Sequence, residues 1–487
     1  MDYENCLNKF NEFGVVEEVR PPVAVVSGLP KVKMFEVVVF EDNQKGQVIS
    51  IGQSLSEILI LPNSQVSVGI KLARSGSNMG IMVGEGLLGC LLNSLGEVVI
   101  PFDKIPKTSE YREIDIPPLS ILDRARVEKP LLTGISVIDL LVPLGLGQRE
   151  LVVGDRKTGK TSFLLSVLSS QAALGNLVIY AAIGKNINEV KNIRDFVKKE
   201  NIAKNTIIVA SNSNEAPSLI YITPFTAMSL AEYFRDKGKD VLVIMDDLST
   251  HAKYYREISL LAKKFPGRDS YPGDIFYTHA RLLERGGNFK TGSISCLPVA
   301  ETIENDLTSY IVSNLIGITD GHILFDTIEF IKGRRPAVNI LLSITRVGRQ
   351  THRVLHQELS RRLLSFMAGY IKLLNFAHFG AELTDEVKNN LNKGEKMLVF
   401  FDQPIGTNIS LEVQMVFTAL ILQGIFAEDP AVKIGSYRNF LAEKYKNDTK
   451  VKSFVDKLTK CQDLEEFLDN AQKNSGRLLN LCRQKKS

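Results

Sequence analysis

Apolar residues follow three successive patterns along the chain. From Glu12 to about Gly80, short β-rich runs lie at Phe35 to Phe40, Gln47 to Ile51, Ile58 to Leu61 and Gln65 to Leu72. The turn residues Asp42-Asn43, Gly52 and Pro62-Asn63 separate them, which predicts a small β-barrel. Between Leu151 and about Arg349, continuous apolar strands alternate with helical patterns: Leu151 to Val153, Leu177 to Ile183, Ile207 to Ala210 and Val241 to Met245. That alternation predicts parallel α/β units with strands buried on both faces. After Thr351 the strand signals fade, and Leu355 to Leu374 and Thr449 to Leu468 have helical periodicity with charge on one side. The expected architecture is therefore multidomain: an N-terminal β-barrel over 1–79, a central RecA-like α/β P-loop domain over 80–352, and a C-terminal α-helical domain over 353–487.

Composition narrows the class without naming a chemistry. The chain has 487 residues, 44% hydrophobic and 23% charged, which excludes collagen-like, disordered and disulfide-scaffold proteins. A formal charge of +4 from 59 basic and 55 acidic side chains gives no sign of a nucleic-acid partner. The five cysteines, Cys6, Cys90, Cys296, Cys461 and Cys482, have no C-x-x-C spacing and fit a reducing cytoplasm. No targeting leader or apolar run of spanning length is evident, so no direct membrane insertion is expected.

Chemistry enters with Gly154-Asp155-Arg156-Lys157-Thr158-Gly159-Lys160-Thr161, which satisfies G-x-x-x-x-G-K-[ST] between the strand Leu151 to Val153 and the helical run Ser162 to Leu174. Its glycines let successive N–H groups and the helix N-terminus face a polyphosphate, Lys160 neutralises outer phosphate oxygens, and Thr161 is placed to ligate Mg²⁺. The strand Val241 to Met245 ends in Asp246-Asp247, which places Asp246 where it would hold the metal's water shell.

With these motifs in view, the chain resembles the alpha subunit of the F1 sector of rotary ATP synthases. The resemblance is carried by Leu132-Thr133-Gly134-Ile135, Ile138-Asp139, Gly147-Gln148-Arg149-Glu150-Leu151, the loop filling Asp155-Arg156 and Thr158, and Asp246-Asp247-Leu248-Ser249. Tyr271-Pro272-Gly273-Asp274, Arg281 to Arg285, Arg335-Pro336-Ala337-Val338-Asn339 and Ser343 to Gly348 extend it. It implies a ring of alternating alpha and beta chains around a gamma-type central stalk, with alpha sites that bind ATP or ADP with Mg²⁺ and do not turn it over. The implied nucleotide-binding set is Arg156, Lys157, Thr158, Gly159, Lys160, Thr161, Ser162, Phe330, Arg335, Pro336 and Gln403, with Thr161 and Asp246 toward the metal. Phe330, Arg335 and Pro336 match the adenine-lining part of the family's pocket. Gln403 matches one of two glutamines at its far side, where the second position reads Ile405. Arg346 matches the arginine that reaches the neighbouring beta chain's catalytic site; the other reading of such a residue is a structural salt bridge.

The departures from the family pattern are as informative as the matches. Catalytic relatives carry a glutamate just past the second core strand and alpha subunits usually a glutamine; here the position reads Lys185, and an ammonium has no lone pair with which to orient water. Lys157 stands where glutamine is common. Lys185, Ile405, an unfamiliar barrel sequence and only Met1 to Asn11 before the barrel point to a divergent member. The leading reading is a non-catalytic alpha-type subunit of a rotary F1-type ATPase; the alternative is a subunit of an F1-like motor that hydrolyses ATP for a task such as motility or transport, as the additional F1-like ATPases of mycoplasmas are thought to do, and binding to a conventional peripheral-stalk delta subunit is expected to be weak or absent. A self-sufficient RecA-like hexameric ATPase or helicase is the rival reading and needs a carboxylate near Lys185. The expected location is cytoplasmic, peripheral at the inner face of the cell membrane. His352 and His356 have i, i+4 spacing but no third ligand, which favours a packed helix face over a metal site. The basic ending, Arg477, Arg483, Lys485 and Lys486, reads as a solvated tail.

Overall fold

The computed structural model describes residues 2–61, 66–100, 107–377 and 384–483, with side chains at 375–377 left undescribed. Six antiparallel strands close the barrel: β1 (Phe13–Arg20), β2 (Val23–Ser27), β3 (Glu36–Phe40), β4 (Lys45–Ile51), β5 (Leu55–Ile60) and β6 (Lys71–Asn78), in the order β1-β2-β5-β4-β3-β6. Closure leaves no free edge. The interior is filled by Val16, Ala24, Val26, Val38, Phe40, Val48, Ile58 and Leu72. Val23 and Leu59 point outward yet are also buried, because they pack on Ile258 and Ala262. That second contact explains why β2 is apolar on both faces.

Two details differ from the sequence expectation at the barrel. A helix, Tyr3–Phe10, precedes β1 and buries Tyr3 and Cys6 against Val39 and Ala73. The strand expected over 65–72 instead runs from Lys71 to Asn78, because the chain turns at Gly69, whose φ is +91° and whose N–H bonds to Val16 O. Gln65 and the turn expected at Pro62-Asn63 lie outside the described residues.

The chain forms two compact units: Met1–Ala125 with Gly175–Glu301 and Leu307–Thr319, and Arg126–Leu174 with Thr302–Asp306 and Asp320–Ser487. The first holds the barrel and parallel strands in the order Leu91–Leu92, Thr206–Asn212, Leu177–Lys185, Asp240–Asp246, Ser293–Glu301. Their central residues are buried on both faces, as the apolar runs predict.

The second unit pairs Leu151–Gly154 in parallel with Gly321–Phe325 and adds the helices after residue 353. Within the second unit the helix Lys160–Ala173 is tied to C-terminal chain through Gly406 N to Ser166 Oγ. The helix expected over 449–468 is two helices, Thr449–Leu458 and Leu464–Lys473. Asp463 caps the second by accepting from Glu466 N, which stops one helix and starts the next. Among the described residues no helix is long and apolar enough to cross a membrane.

Candidate functional site

In the second unit the phosphate-loop backbone turns through positive φ at Lys157 (62°) and Gly159 (95°) before entering the helix Lys160–Ala173. Gly154 must be glycine: an added Cβ would sit 2.3 Å from Phe325 O. Gly159 supplies no capping side chain, so the helix's first N–H groups are left for an anion. Lys160 Nζ donates to Gly154 O at 2.7 Å and Asp155 O at 2.6 Å, and Thr158 Oγ1 donates to Asp155 O at 2.7 Å. Arg156, Lys157 and Thr161 are exposed and Ser162 half-buried. Glycine curl, uncapped helix and lysine together fit a polyphosphate.

Sequence reasoning missed what holds this loop. The Asp155 carboxylate accepts from Thr302 Oγ1 at 2.6 Å, Asn305 N at 3.0 Å and Thr327 Oγ1 at 3.1 Å. Burial opposes the charge, but these bonds outweigh it and hold Asp155 below its ordinary value.

Beside the loop, the Arg335 guanidinium lies over the Phe330 ring, 3.7 Å from its centroid, and donates to Phe330 O at 3.0 Å. Pro336 follows, half-buried. Gln403, expected at the far side of the base pocket, is buried with its side chain bonded to backbone. Its Nε2 donates to Gly134 O (3.1 Å) and Thr407 O (3.0 Å), its Oε1 accepts from Ser136 N (2.6 Å), and its own N–H donates to Arg335 O (2.6 Å). Both amide hydrogens are spent on backbone, so Gln403 supports the wall and offers no donor from it. Ile405, 54% exposed, and the adjacent Pro404 are the exposed residues of this segment.

In the first unit, Asp246 ends its strand 3% exposed. Oδ1 is 2.8 Å from Lys185 Nζ and Oδ2 accepts from the Tyr180 hydroxyl at 2.7 Å. Burial works against the Lys185 ammonium, yet Asp246 and Asp247 hold its pKa above the ordinary value. Asp247 caps the helix Leu248–Leu261, accepting from Ser249 N and Thr250 Oγ1. The Asp246 carboxylate, the residue expected toward Mg²⁺ through water, thus has one partner on each oxygen. Among the described residues no group of three or more His, Cys, Asp or Glu is arranged to hold a metal. Tyr180 left a faint signal in sequence, a lone hydroxyl on an apolar strand that must find a partner.

Comparison with known proteins decides the family. Residues 134–345 match the nucleotide-binding domain of the ATP synthase alpha/beta family, and residues 353–475 match the C terminal domain of the ATP synthase alpha/beta chain. The ATP synthase subunit alpha of Carsonella ruddii is 36% identical over 456 residues, covering 90% of this chain and 95% of its own. Those of Rickettsia bellii and Petrotoga mobilis are each 36% identical, over 92% and 96% of this chain and 90% and 93% of their own. The chain belongs to the ATP synthase alpha/beta family, as an alpha-type member.

In this alpha-type chain Arg346 is exposed at the end of the strand Ile344–Thr345, and among the described residues it has no salt-bridge partner. Its backbone is fixed: Arg346 N donates to Asp320 O (3.0 Å), and Asp320 is clamped by Arg149 at 2.8 Å. Thr345 Oγ1 bonds to Pro143 O at 3.0 Å. The alpha-type chain's His352 lies just before the helix Val354–Ala377, not on it, and stacks on His356 with centroids 4.0 Å apart. Both are buried. Lys485 and Lys486 lie outside the described residues.

Proposed function

We propose that this chain is the nucleotide-holding, non-hydrolysing subunit of a rotary F1-type ATPase, set in a ring with catalytic beta subunits around a gamma-type stalk. What supports the reading is an intact phosphate loop in a chain of the ATP synthase alpha/beta family that carries Lys185 where the resemblance puts the water-activating group. Lys160 and the N-terminal N–H groups of its helix hold the phosphates of ATP or ADP, with Arg156, Lys157, Thr158, Gly159, Thr161 and Ser162 around them. Phe330, stiffened by Arg335 and Pro336, offers an apolar wall to the base. Lys185, a charged ammonium bonded to Asp246, accepts no proton from water, so bound ATP is retained. Arg346 supplies a fixed positive charge to the neighbouring beta chain, where its planar fork suits a phosphoryl group in transfer.

The test is equilibrium binding of a fluorescent ADP analogue to the purified full-length chain, alongside phosphate release from ATP. Stoichiometric binding with release at background supports the reading. Steady release that disappears in Lys160→Ala overturns it.

A further inference from the structure

The strand Ile344–Thr345, which ends where Arg346 begins, is only two residues long and pairs with Gly321 and His322. So short a ladder fixes a neighbouring residue poorly without side-chain support. The Thr345 hydroxyl provides that support. Its Oγ1 donates to Pro143 O at 3.0 Å and accepts from Gln148 Nε2 at 3.1 Å and Gly348 N at 3.2 Å, which brackets Arg346 on both sides in sequence.

Gln148 is fixed in turn. It is buried, its Oε1 accepts from Gly145 N at 2.9 Å, and its Nε2 also donates to Glu150 Oε2 at 2.7 Å. Glu150 is 1% exposed and lies against the same strand pair: a Cβ added to Gly321, the partner of Thr345, would sit 2.6 Å from its Oε2 and 2.8 Å from its Oε1. Only glycine leaves that room.

Glu150 Oε1 has no hydrogen-bond partner among the described residues. A charged carboxylate in such a place is costly, and burial pushes the Glu150 carboxyl well above its ordinary value, against the bond from Gln148. An uncharged acid suits this neighbourhood. Arg346 is among the charges that act on Glu150, and a bare negative charge beneath the strand would draw its guanidinium inward. The neutral acid leaves the guanidinium in solvent.

We infer that Gln148 and Glu150 are positioning residues for Arg346: through Thr345 they set the short strand from which the arginine projects. The inference rests on the role proposed above for Arg346 in the neighbouring beta chain's site.

The experiment measures steady-state ATP hydrolysis by the assembled alpha/beta ring carrying Glu150→Ala or Glu150→Gln, with assembly checked by sedimentation. Glu150→Ala should lower kcat by roughly 10- to 100-fold, the effect of a small misplacement of a reacting group. KM for ATP should stay within about twofold, since an arginine that acts on the transferring phosphoryl group is felt in the transition state. Glu150→Gln, the neutral isostere, should restore kcat to within about threefold of wild type. An unchanged kcat in Glu150→Ala overturns the inference, as does a Glu150→Gln ring as slow as Glu150→Ala. Should Glu150→Ala fail to assemble, Thr345→Val, which removes the hydroxyl and keeps the shape, gives the second reading. A loss in Thr345→Val that Thr345→Ser restores supports the inference, and a Thr345→Val ring at wild-type kcat overturns it. Arg346→Ala at wild-type kcat instead overturns the proposed role of Arg346, which keeps the two failures apart.

Discussion

The Asp155 carboxylate accepts a hydrogen bond from the Thr302 hydroxyl at 2.6 Å, across 147 residues of sequence. Thr302 N in turn donates to Gly154 O at 3.1 Å, so the start of the phosphate loop is tied in both directions to the segment after the strand Ser293–Glu301. A loop that turns through positive φ at Lys157 is conformationally costly and needs such bracing. Thr327 Oγ1 and Asn305 N complete the bracket. On the function proposed above, Asp155 would act through the shape of the loop.

Replacing Asp155 by Ala should loosen the loop and weaken ADP binding by roughly tenfold, in line with the 1 to 3 kcal/mol cost of hydrogen-bond groups left unpaired. The carboxylate's pKa is depressed in the folded chain. Its stabilisation is therefore complete above its ordinary value and lost as pH falls through the lower folded value. Nucleotide titrations and melting curves between pH 3 and 7 on both proteins check this; identical affinity in Asp155→Ala refutes the bracing role.

Arg346→Ala, assembled into an alpha/beta ring, should lower multi-site turnover by about 10³ to 10⁵, the range for an arginine supplied in trans. Nucleotide binding to the alpha-type chain should survive, because Arg346 is exposed with no salt-bridge partner among the described residues whose loss would unsettle the fold. Single-turnover cleavage and analogue binding measured on the same preparation separate the two effects. Intact cleavage removes Arg346 from the reaction.

Acid should destabilise this chain well before its exposed carboxylates titrate. Burial pushes His251 and His356 down to about 4, His352 to about 3, and His279 well below its ordinary value. A histidine depressed in the folded state contributes stability above about 6.5 that is lost as pH falls toward the folded value, on the order of 2 kcal/mol by pH 5 for one held near 4. Asp139 opposes this: burial outweighs its bonds from Thr133 and Gln414 and pushes it up to about 6, so its stabilisation grows as pH falls. His322 is depressed with the other histidines, while burial raises Glu150, Asp115, Asp247 and Glu215 in the same sense as Asp139; the histidines, whose ordinary value lies inside this window, carry the larger share, and the melting temperature should drop between pH 7 and pH 5. His352→Phe should shallow that drop; a flat pH profile in the wild type would contradict the assignment.

What sequence revealed was local, and what it hid was long-range. The phosphate loop and the apolar strands around it are contiguous signals, and their positions are as expected. Lys185 was visible as a departure, but its partner was not, since Asp246 is reached only when the parallel strands Leu177–Lys185 and Asp240–Asp246 lie side by side. The same holds for Asp155 with Thr302. At the barrel, β6 was misplaced because its end, Ser75 to Asn78, is polar while the apolar run before it turns at Gly69. The break between the helices Thr449–Leu458 and Leu464–Lys473 depends on the Asp463 cap, a cue weaker than the surrounding periodicity.

Gln403 is buried and Ile405 exposed in one short segment, and substitution should separate their contributions to stability and to nucleotide preference. Gln403→Ala leaves Ser136 N, Gly134 O and Thr407 O without their side-chain partners in a buried place, at a cost of roughly 2 to 4 kcal/mol. Because its amide hydrogens already serve the backbone, the preference for ATP over GTP should be unchanged in the folded fraction. Ile405→Gln has the opposite profile. The position is 54% exposed, so stability should stay within about 0.5 kcal/mol, while a new donor and acceptor at the wall should shift the purine preference. Melting curves paired with competition between ATP and GTP for the fluorescent analogue read both properties at once. If Gln403→Ala keeps its melting temperature and loses the preference, the amide faces the base after all and the supporting role assigned to it is wrong.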